Sequence, residues 1–204
     1  MRTFLFLTTK TTGIDTEKDR ILQLSTRLVV HKETQDSSLL IRPSGFATPA
    51  AAIKVHGISD RVATAQGVDI GQALELLMKQ LRQAEIIIGH NIAYDIKILL
   101  AQARRVGRQD IIELLTPPLF GFNGGACAAV CIQRLAADYL RHLGEPASLS
   151  DTKLTIVYQK LFGEELVGAH DALADAIACQ RIYEFLSTFQ LEHKLEFGAD
   201  IVFL

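Results

Sequence analysis

The stretch Ile86-Ile87-Ile88-Gly89-His90-Asn91-Ile92-Ala93-Tyr94-Asp95 is an apolar run that stops at a glycine and passes through polar residues into a helical pattern. Three consecutive isoleucines read as a short buried strand. Ile96, Leu99, Leu100 and Ala103 then recur at the spacing of one helix face, and that helix ends near Gly107. A strand meeting a helix with His90, Asn91 and Asp95 at the junction is the point from which the rest of the chain can be ordered.

Toward the N-terminus, residues 3–9 (Thr3-Phe4-Leu5-Phe6-Leu7-Thr8-Thr9) are apolar on both faces from Phe4 to Leu7, which predicts a central, doubly covered strand. Gly13 and the polar run Asp15 to Arg20 read as a turn. Residues 21–30 predict a second strand and Leu39-Leu40-Ile41 a short third, the short connections favouring antiparallel pairing. Pro43, Gly45 and Pro49 break the pattern. Ile70, Ala73, Leu74, Leu77 and Leu81 predict a helix. Toward the C-terminus, 116–125 reads as loop and 128–140 as a strand running into a helix. Leu154, Val157, Tyr158 and Leu161 give a further helix closed by Gly163. Asp171 is placed to cap a long last helix with Leu173, Ile177 and Leu186 on its apolar face. A meander followed by alternating helices and strands is an α/β layer architecture.

The chain has 204 residues, 49% of them hydrophobic, with 21 Lys and Arg against 23 Asp and Glu. That size predicts about one domain, 1–204, with a core over 3–187 and a short extension over 188–204. The near balance of charge excludes a basic, non-specific nucleic-acid coat. No apolar run approaches the ~18 residues of a membrane span, and the apolar start of the chain is too short for a signal-peptide core, so a cytoplasmic protein without a membrane partner is expected. Cys127, Cys131 and Cys179 lack metal-site or disulfide-framework spacing and read as small buried residues.

Three segments carry chemistry: Thr8-Thr9-Lys10-Thr11-Thr12-Gly13 at the end of the first strand, Gly89 to Asp95, and Gly168-Ala169-His170-Asp171-Ala172-Leu173-Ala174-Asp175 at a helix start. Taken singly, a His-Asn pair is usually a satisfied polar turn, and His170 with Asp171 a capped helix entry. Their order and spacing resemble the DEDDh-type 3′–5′ exonucleases, the family of the proofreading epsilon subunit of bacterial DNA polymerase III. The motifs of that family read approximately D-x-E-T-T-G, H-N-x-x-x-D and H-x4-D. Asp19-Arg20-Ile21, His56-Gly57-Ile58 and Tyr158 to Gly163 resemble the family between the motifs, and the likeness covers about 3–187.

The resemblance implies an RNase H-like α/β fold, a mixed sheet with helices on both sides. It also implies four carboxylates holding two Mg²⁺ or Mn²⁺ ions, with His170 as general base on the attacking water. Two such metals, ~3.5–4 Å apart, would clamp both oxygens of a phosphodiester displacement. His170 has to precede the last helix, because positions i and i+5 of a helix point about 140° apart. Asp95 and Asp175 match the family's metal ligands. Thr11, Gly13, His90 and Asn91 fall in its substrate-binding motifs.

The first motif departs from the family: Thr8 and Lys10 stand where Asp and Glu are expected, changing the formal charge of those two positions from −2 to +1. A neutral hydroxyl is a poor ligand and an ammonium offers no acceptor, so neither metal is expected at the site. Lys10 is instead expected to pair with Asp95 and Asp175, as a buried cation needs partners. Asp15 and Glu17 spell an acidic pair after the motif and are expected in the loop. Arg104 and Arg105, with Lys97 and Arg108, offer a basic face that either contacts phosphates or is simply solvated, and Tyr94 and Phe46 are either base-stacking or core. Three functions stay open. The first is a catalytically impaired protein binding a single-stranded nucleic-acid 3′ end or a nucleotide. The second is an active metal-dependent exonuclease on DNA or RNA ends. The third is a scaffold for a polymerase or repair protein.

Overall fold

The computed structural model describes residues 2–116 and 128–194. Cys127, most of the 116–125 loop and the end of the C-terminal extension lie outside the described residues. Five strands form one mixed sheet: β1 (Phe4–Thr11), β2 (Ile21–Val30), β3 (Glu33–Leu40), β4 (Ile86–Gly89) and β5 (Ala128–Cys131), in the order β3-β2-β1-β4-β5. β1, β2 and β3 pair antiparallel, as their short connections require. β4 pairs parallel to β1 and to β5.

Alternation along β1 divides the core. Leu5 and Leu7 face one side and pack with α3 (Ile70–Leu81), α4 (Ile92–Arg105) and α5 (Gln109–Leu115) through Leu74, Leu77, Ile92, Ile96, Leu99 and Ile111. Phe6 faces the other side and packs with α6 (Ile132–His142), α7 (Leu154–Phe162) and α8 (Ala172–His193) through Leu135, Val157, Ala176, Cys179 and Ile182. Two short helices, α1 (Ala50–His56) and α2 (Asp60–Gln66), follow the meander, and Ala63 of α2 closes a small cluster with Leu22 and Ile58. The result is the expected sheet with helices on both sides. Among the described residues no helix is long and apolar enough to cross a membrane.

The register positions the site. β4 pairs with β1 only over Phe4, Leu5 and Phe6, so the end of β1, from Thr8 onward, is not paired on that side. Gly89 makes the close approach possible: a Cβ there would stand 2.7 Å from the Leu7 carbonyl oxygen. A cleft therefore opens beyond the carboxyl ends of two parallel strands, where α/β sheets characteristically place their ligands.

Several expectations need correction. The third strand is eight residues long, Glu33–Leu40, and not the apolar triplet alone. Its Glu33-Thr34-Gln35-Asp36 half is polar because it lies on an exposed sheet edge, where pairing with β2 substitutes for burial. The region broken by Pro43, Gly45 and Pro49 leads into α1 and α2, which begin at Pro49 and Ser59 as caps. His56-Gly57-Ile58 is the turn between those two helices. α5 follows the Gly107 turn as a further helix that the apolar spacing did not predict. On α8 Ile177 is exposed, and the buried stripe is Ala172, Ala176, Cys179, Ile182 and Leu186.

Candidate functional site

A cavity of about 300 Å³ lies at the strand ends, lined by Thr8, Lys10, His90, Asn91, Asp95, His170 and Asp175, together with Lys153 and Thr155. The three sequence segments thus meet in one cleft. Because side chains alternate along β1, Thr8 and Lys10 point to the α8 side and Thr9 to the α4 side. Each aspartate meets the strand from its own helix.

Asp95 sits in the first turn of α4, buried, where the Thr9 backbone N–H (2.8 Å) and hydroxyl (2.7 Å) both donate to its Oδ1. Burial pushes its carboxyl up to about 7, although the two Thr9 bonds and the nearby Lys10 charge pull the other way. Asp175 lies in the first turn of α8, and the Lys10 ammonium donates to its Oδ2 in an ion pair whose side chains are 12% and 11% exposed. Lys10 therefore pairs directly with Asp175 but not with Asp95, whose Oδ1 accepts from Thr9. The strand pleat keeps the Lys10 side chain on the α8 side.

His170 precedes α8, as the helical geometry demanded, and its backbone is left-handed (φ 74°). Its N–H donates to Asp175 Oδ1 at 3.3 Å, while Asp171 caps the helix by accepting from the N–H groups of Leu173 and Ala174. Asn91 is also left-handed (φ 59°) and caps α4 without a side-chain bond. Two non-glycine residues in this region within one cleft is a costly arrangement of the kind that functional sites retain. His90 donates from Nε2 to the Thr152 carbonyl at 2.7 Å, and burial pulls its imidazole below the usual range, so the ring stays neutral at pH 7. This bond ties the loop before α7 to the end of β4.

Other expected residues lie beside the cleft. Thr11 and Tyr94 both donate to the Gly13 carbonyl at 2.7 Å, closing the turn after β1. Tyr94 is thereby a tether. Asp15 is exposed and accepts from the N–H groups of Glu17 and Lys18, outside the cleft. Arg105 donates to the carbonyls of Glu17 and Asp19, bracing the same turn, and Arg108 pairs with Glu75 and Asp110. Arg104 and Lys97 are exposed, and neither lines the cleft. Phe46 packs against the small Leu22 cluster.

Sequence reasoning missed Thr9, Lys153 and Thr155. Lys153 and Thr155 come from the start of α7, and the available signal was a helix start at Leu154 with Lys153, a residue that cannot accept a cap bond, in the capping position.

The donor set does not fit two metals. Of the four positions that would hold them, Thr8 is neutral, Lys10 is a cation, Asp95 is engaged by Thr9, and Asp175 already carries an ammonium. Among the described residues no group of three or more His, Cys, Asp or Glu side chains is arranged to hold a metal ion.

The chain is thus a mixed five-stranded sheet of RNase H-like form, with His90, Asn91, Asp95, His170 and Asp175 in one cleft at its strand ends. A sequence profile of the RNase T exonuclease family matches residues 9–183, and the chain belongs to that family. No curated protein sequence matches it. Among solved structures, E. coli exonuclease I in complex with a dT13 oligonucleotide is 19% identical with a TM-score of 0.74, over 95% of this chain and 43% of that one. Cell-death related nuclease 4 (CRN-4) is 14% identical with a TM-score of 0.70, over 93% of this chain and 64% of that one. The zinc-bound exonuclease I–ssDNA complex is 20% identical with a TM-score of 0.67, over 95% and 44%. The chain spans less than half the length of these exonuclease I chains. At such identities the likeness shows the fold.

Proposed function

We propose that this exonuclease-family domain holds the 3′ end of a single-stranded nucleic acid, or a nucleotide, without two-metal hydrolysis. One observation carries the reading: the Lys10 ammonium is seated on Asp175, where the family chemistry requires a metal ligand to be free. Two-metal hydrolysis needs a cage of hard anionic oxygens. Here a fixed cation of the protein neutralises one of the two remaining acids, and the other is buried. The residues that frame a strand end, His90, Asn91 and His170, still line the cleft. The likeness to exonuclease I bound to dT13 supports a single strand as the ligand class.

The test is degradation of a 3′-labelled single-stranded oligonucleotide in Mn²⁺, beside the Thr8→Asp plus Lys10→Glu variant, with binding of the same oligonucleotide measured in EDTA. The parent is expected to bind in EDTA and leave the label intact, and the variant to cut. Cutting by a nuclease-free preparation of the parent overturns the reading, and so does absence of binding by both the strand and a nucleotide.

A further inference from the structure

We infer that the chain carries a second ligand site, at the opposite end of β1 from the cleft, and that this site takes a small aromatic carboxylate. It is independent of the function proposed above.

A cavity of about 270 Å³ opens beside the start of β1, between α8 and the hairpin of β2 and β3. Phe4 and Lys10 lie on the same face of β1, so this cavity and the cleft are about 20 Å apart along the strand. The floor is apolar. Phe6 is buried, but Phe4, Val29 and Tyr183 are only half-buried, and the strand register sets Phe4 beside Val29. The Phe4 and Phe6 rings lie 5.5 and 6.2 Å from that of Tyr183. Ring surface that the protein's own packing leaves half-covered is best covered by another ring, which is flat and loses little conformational freedom on binding.

The rim sets the charge. Arg2 and Lys32 line the cavity, are exposed, and form no ion pair among the described residues. The Tyr183 hydroxyl, in the same lining, has no hydrogen-bond partner among the described residues. Glu184 is the one carboxylate of the lining. Its Oε1 accepts from Gln180 Nε2 at 2.8 Å, and Gln180 Oε1 accepts in turn from Arg27 at 3.1 Å. Arg2 and Lys32 against Glu184 leave one positive charge, which a monoanion neutralises and a dianion overshoots. The guanidinium fork of Arg2 matches the two oxygens of a carboxylate.

The backbone fixes part of that rim. β2 and β3 are joined by His31 and Lys32 alone, and both are left-handed (φ 49° and 77°). A two-residue hairpin turn of this form is normally made by Asn-Gly, Asp-Gly or Gly-Gly, because it needs positive φ at both positions. His31 and Lys32 accept that strain without gaining burial, since both are exposed, and the turn sets an imidazole and an ammonium on the cavity lining. An apolar floor with a cationic rim thus fits a ligand with an aromatic body and a single anionic head.

The experiment is an NMR titration of the ¹⁵N-labelled whole chain at pH 7 with three probes: indole-3-acetate, its uncharged amide indole-3-acetamide, and acetate. Indole-3-acetate is expected to bind with a Kd of about 1 mM or tighter, and the amide about tenfold or more weakly, the worth of one charge-assisted contact. Acetate, which has no ring, is expected not to bind detectably. Amide shifts are expected at His31, Lys32 and Tyr183 and not at His90 or Asp175. Arg2→Gln with Lys32→Gly removes both cations, and glycine suits the left-handed turn, so this variant is expected to fold and to bind the acid no better than the amide. Its binding of the single-stranded oligonucleotide in EDTA is expected to equal the parent's. Failure of the acid to bind overturns the inference, and so do equal binding of acid and amide, binding of acetate as tight as that of the acid, or shifts centred on the cleft. A preference unchanged in the variant overturns it as well, and so does loss of oligonucleotide binding, which would make Arg2 and Lys32 part of a nucleic-acid surface. The acid–amide comparison and the shift footprint are read on the parent and do not depend on the variant.

Discussion

Lys10→Met removes the cation and keeps most of the volume and length of the side chain. Both members of the Lys10–Asp175 pair are close to nine-tenths buried, so solvent does little to replace the lost partner. Breaking one side of such a pair strands a charge in a low-dielectric site, at a cost of about 3–5 kcal/mol. For a domain of this size each kcal/mol moves the unfolding midpoint by roughly 2–4 °C, so Lys10→Met is expected to melt about 6–20 °C below the parent. Removing both charges is a different perturbation. Lys10→Met with Asp175→Leu leaves no stranded ion, and replacing a buried pair by apolar groups is often nearly neutral. The double variant is therefore expected to recover most of the loss. Urea and thermal denaturation of the three proteins at pH 7 measure this directly. A single-variant cost below about 1 kcal/mol, the range of an exposed ion pair, would refute the reasoning, because the ammonium would then lie in solvent and not in the cleft.

Thr8→Asp plus Lys10→Glu is expected to be less stable than the parent in EDTA, through acid–acid repulsion, and to be rescued by Mn²⁺ by about 2.7 kcal/mol at a hundredfold excess over Kd; differential scanning calorimetry with and without the ion reads this, and a parent that responds equally would contradict it. Asp95 holds its proton in the fold up to about 7 but releases it near 3.8 when unfolded. From about pH 4 to 7 the unfolded chain thus binds fewer protons, and stability falls as pH rises. Asp95→Asn, which keeps an oxygen for the two Thr9 donors, is expected to flatten that slope in melts across the range, and an unchanged slope would reassign it to other groups. Gly89→Ala places a methyl group 2.7 Å from the Leu7 carbonyl and 2.9 Å from Ile92 Cδ1, so a loss of about 1–3 kcal/mol is expected in denaturant titration, with parent-like stability showing that β4 and β1 separate freely.

The parts of the fold legible in the sequence are those where one periodicity acts alone. Ile86-Ile87-Ile88 is buried on both faces, and the α3 and α4 stripes are each covered by a single sheet face. β3 was underread because edge pairing to β2 tolerates Glu33, Thr34, Gln35 and Asp36, residues with no apolar signal. The α8 stripe is hard to read because small residues form much of it: Ala176 and Cys179 bring the helix close to Phe6, while the larger Ile177 faces outward. At the site, the family resemblance of the three motifs, in their order and spacing, points to His90, Asn91, Asp95, His170 and Asp175, and all five line one cleft. It does not point to Lys153 or Thr155, which belong to the start of α7, a segment joined to the end of β4 by the His90–Thr152 bond.

On the proposed metal-free reading, Asp95 and Asp175 account for how the cleft holds together. Divalent ions in a carboxylate cage would cross-link the strand end to the helices on both sides of it. In this chain the same two joints are made by protein groups. Asp95 ties α4 to β1 through Thr9, and Asp175 ties α8 to β1 through Lys10, one from each face of the strand. Thr9 supplies two neutral donors to a buried carboxyl that burial pushes up to about 7. Lys10 supplies a full charge to an acid at the start of α8, where a free carboxylate would otherwise interact favourably with the helix end. On that reading the pattern is self-consistent: Thr8 and Lys10 take away two of the acids that would call for metal, and Lys10 makes the joint to Asp175. Reversing either position alone should therefore be worse than reversing both, since Thr8→Asp by itself sets a new carboxylate beside an occupied ion pair and Lys10→Glu by itself sets one beside Asp175. A thermodynamic cycle over the two positions in Mn²⁺ is expected to show favourable coupling, and strict additivity would separate the loss of the metal ligands from the gain of the lysine.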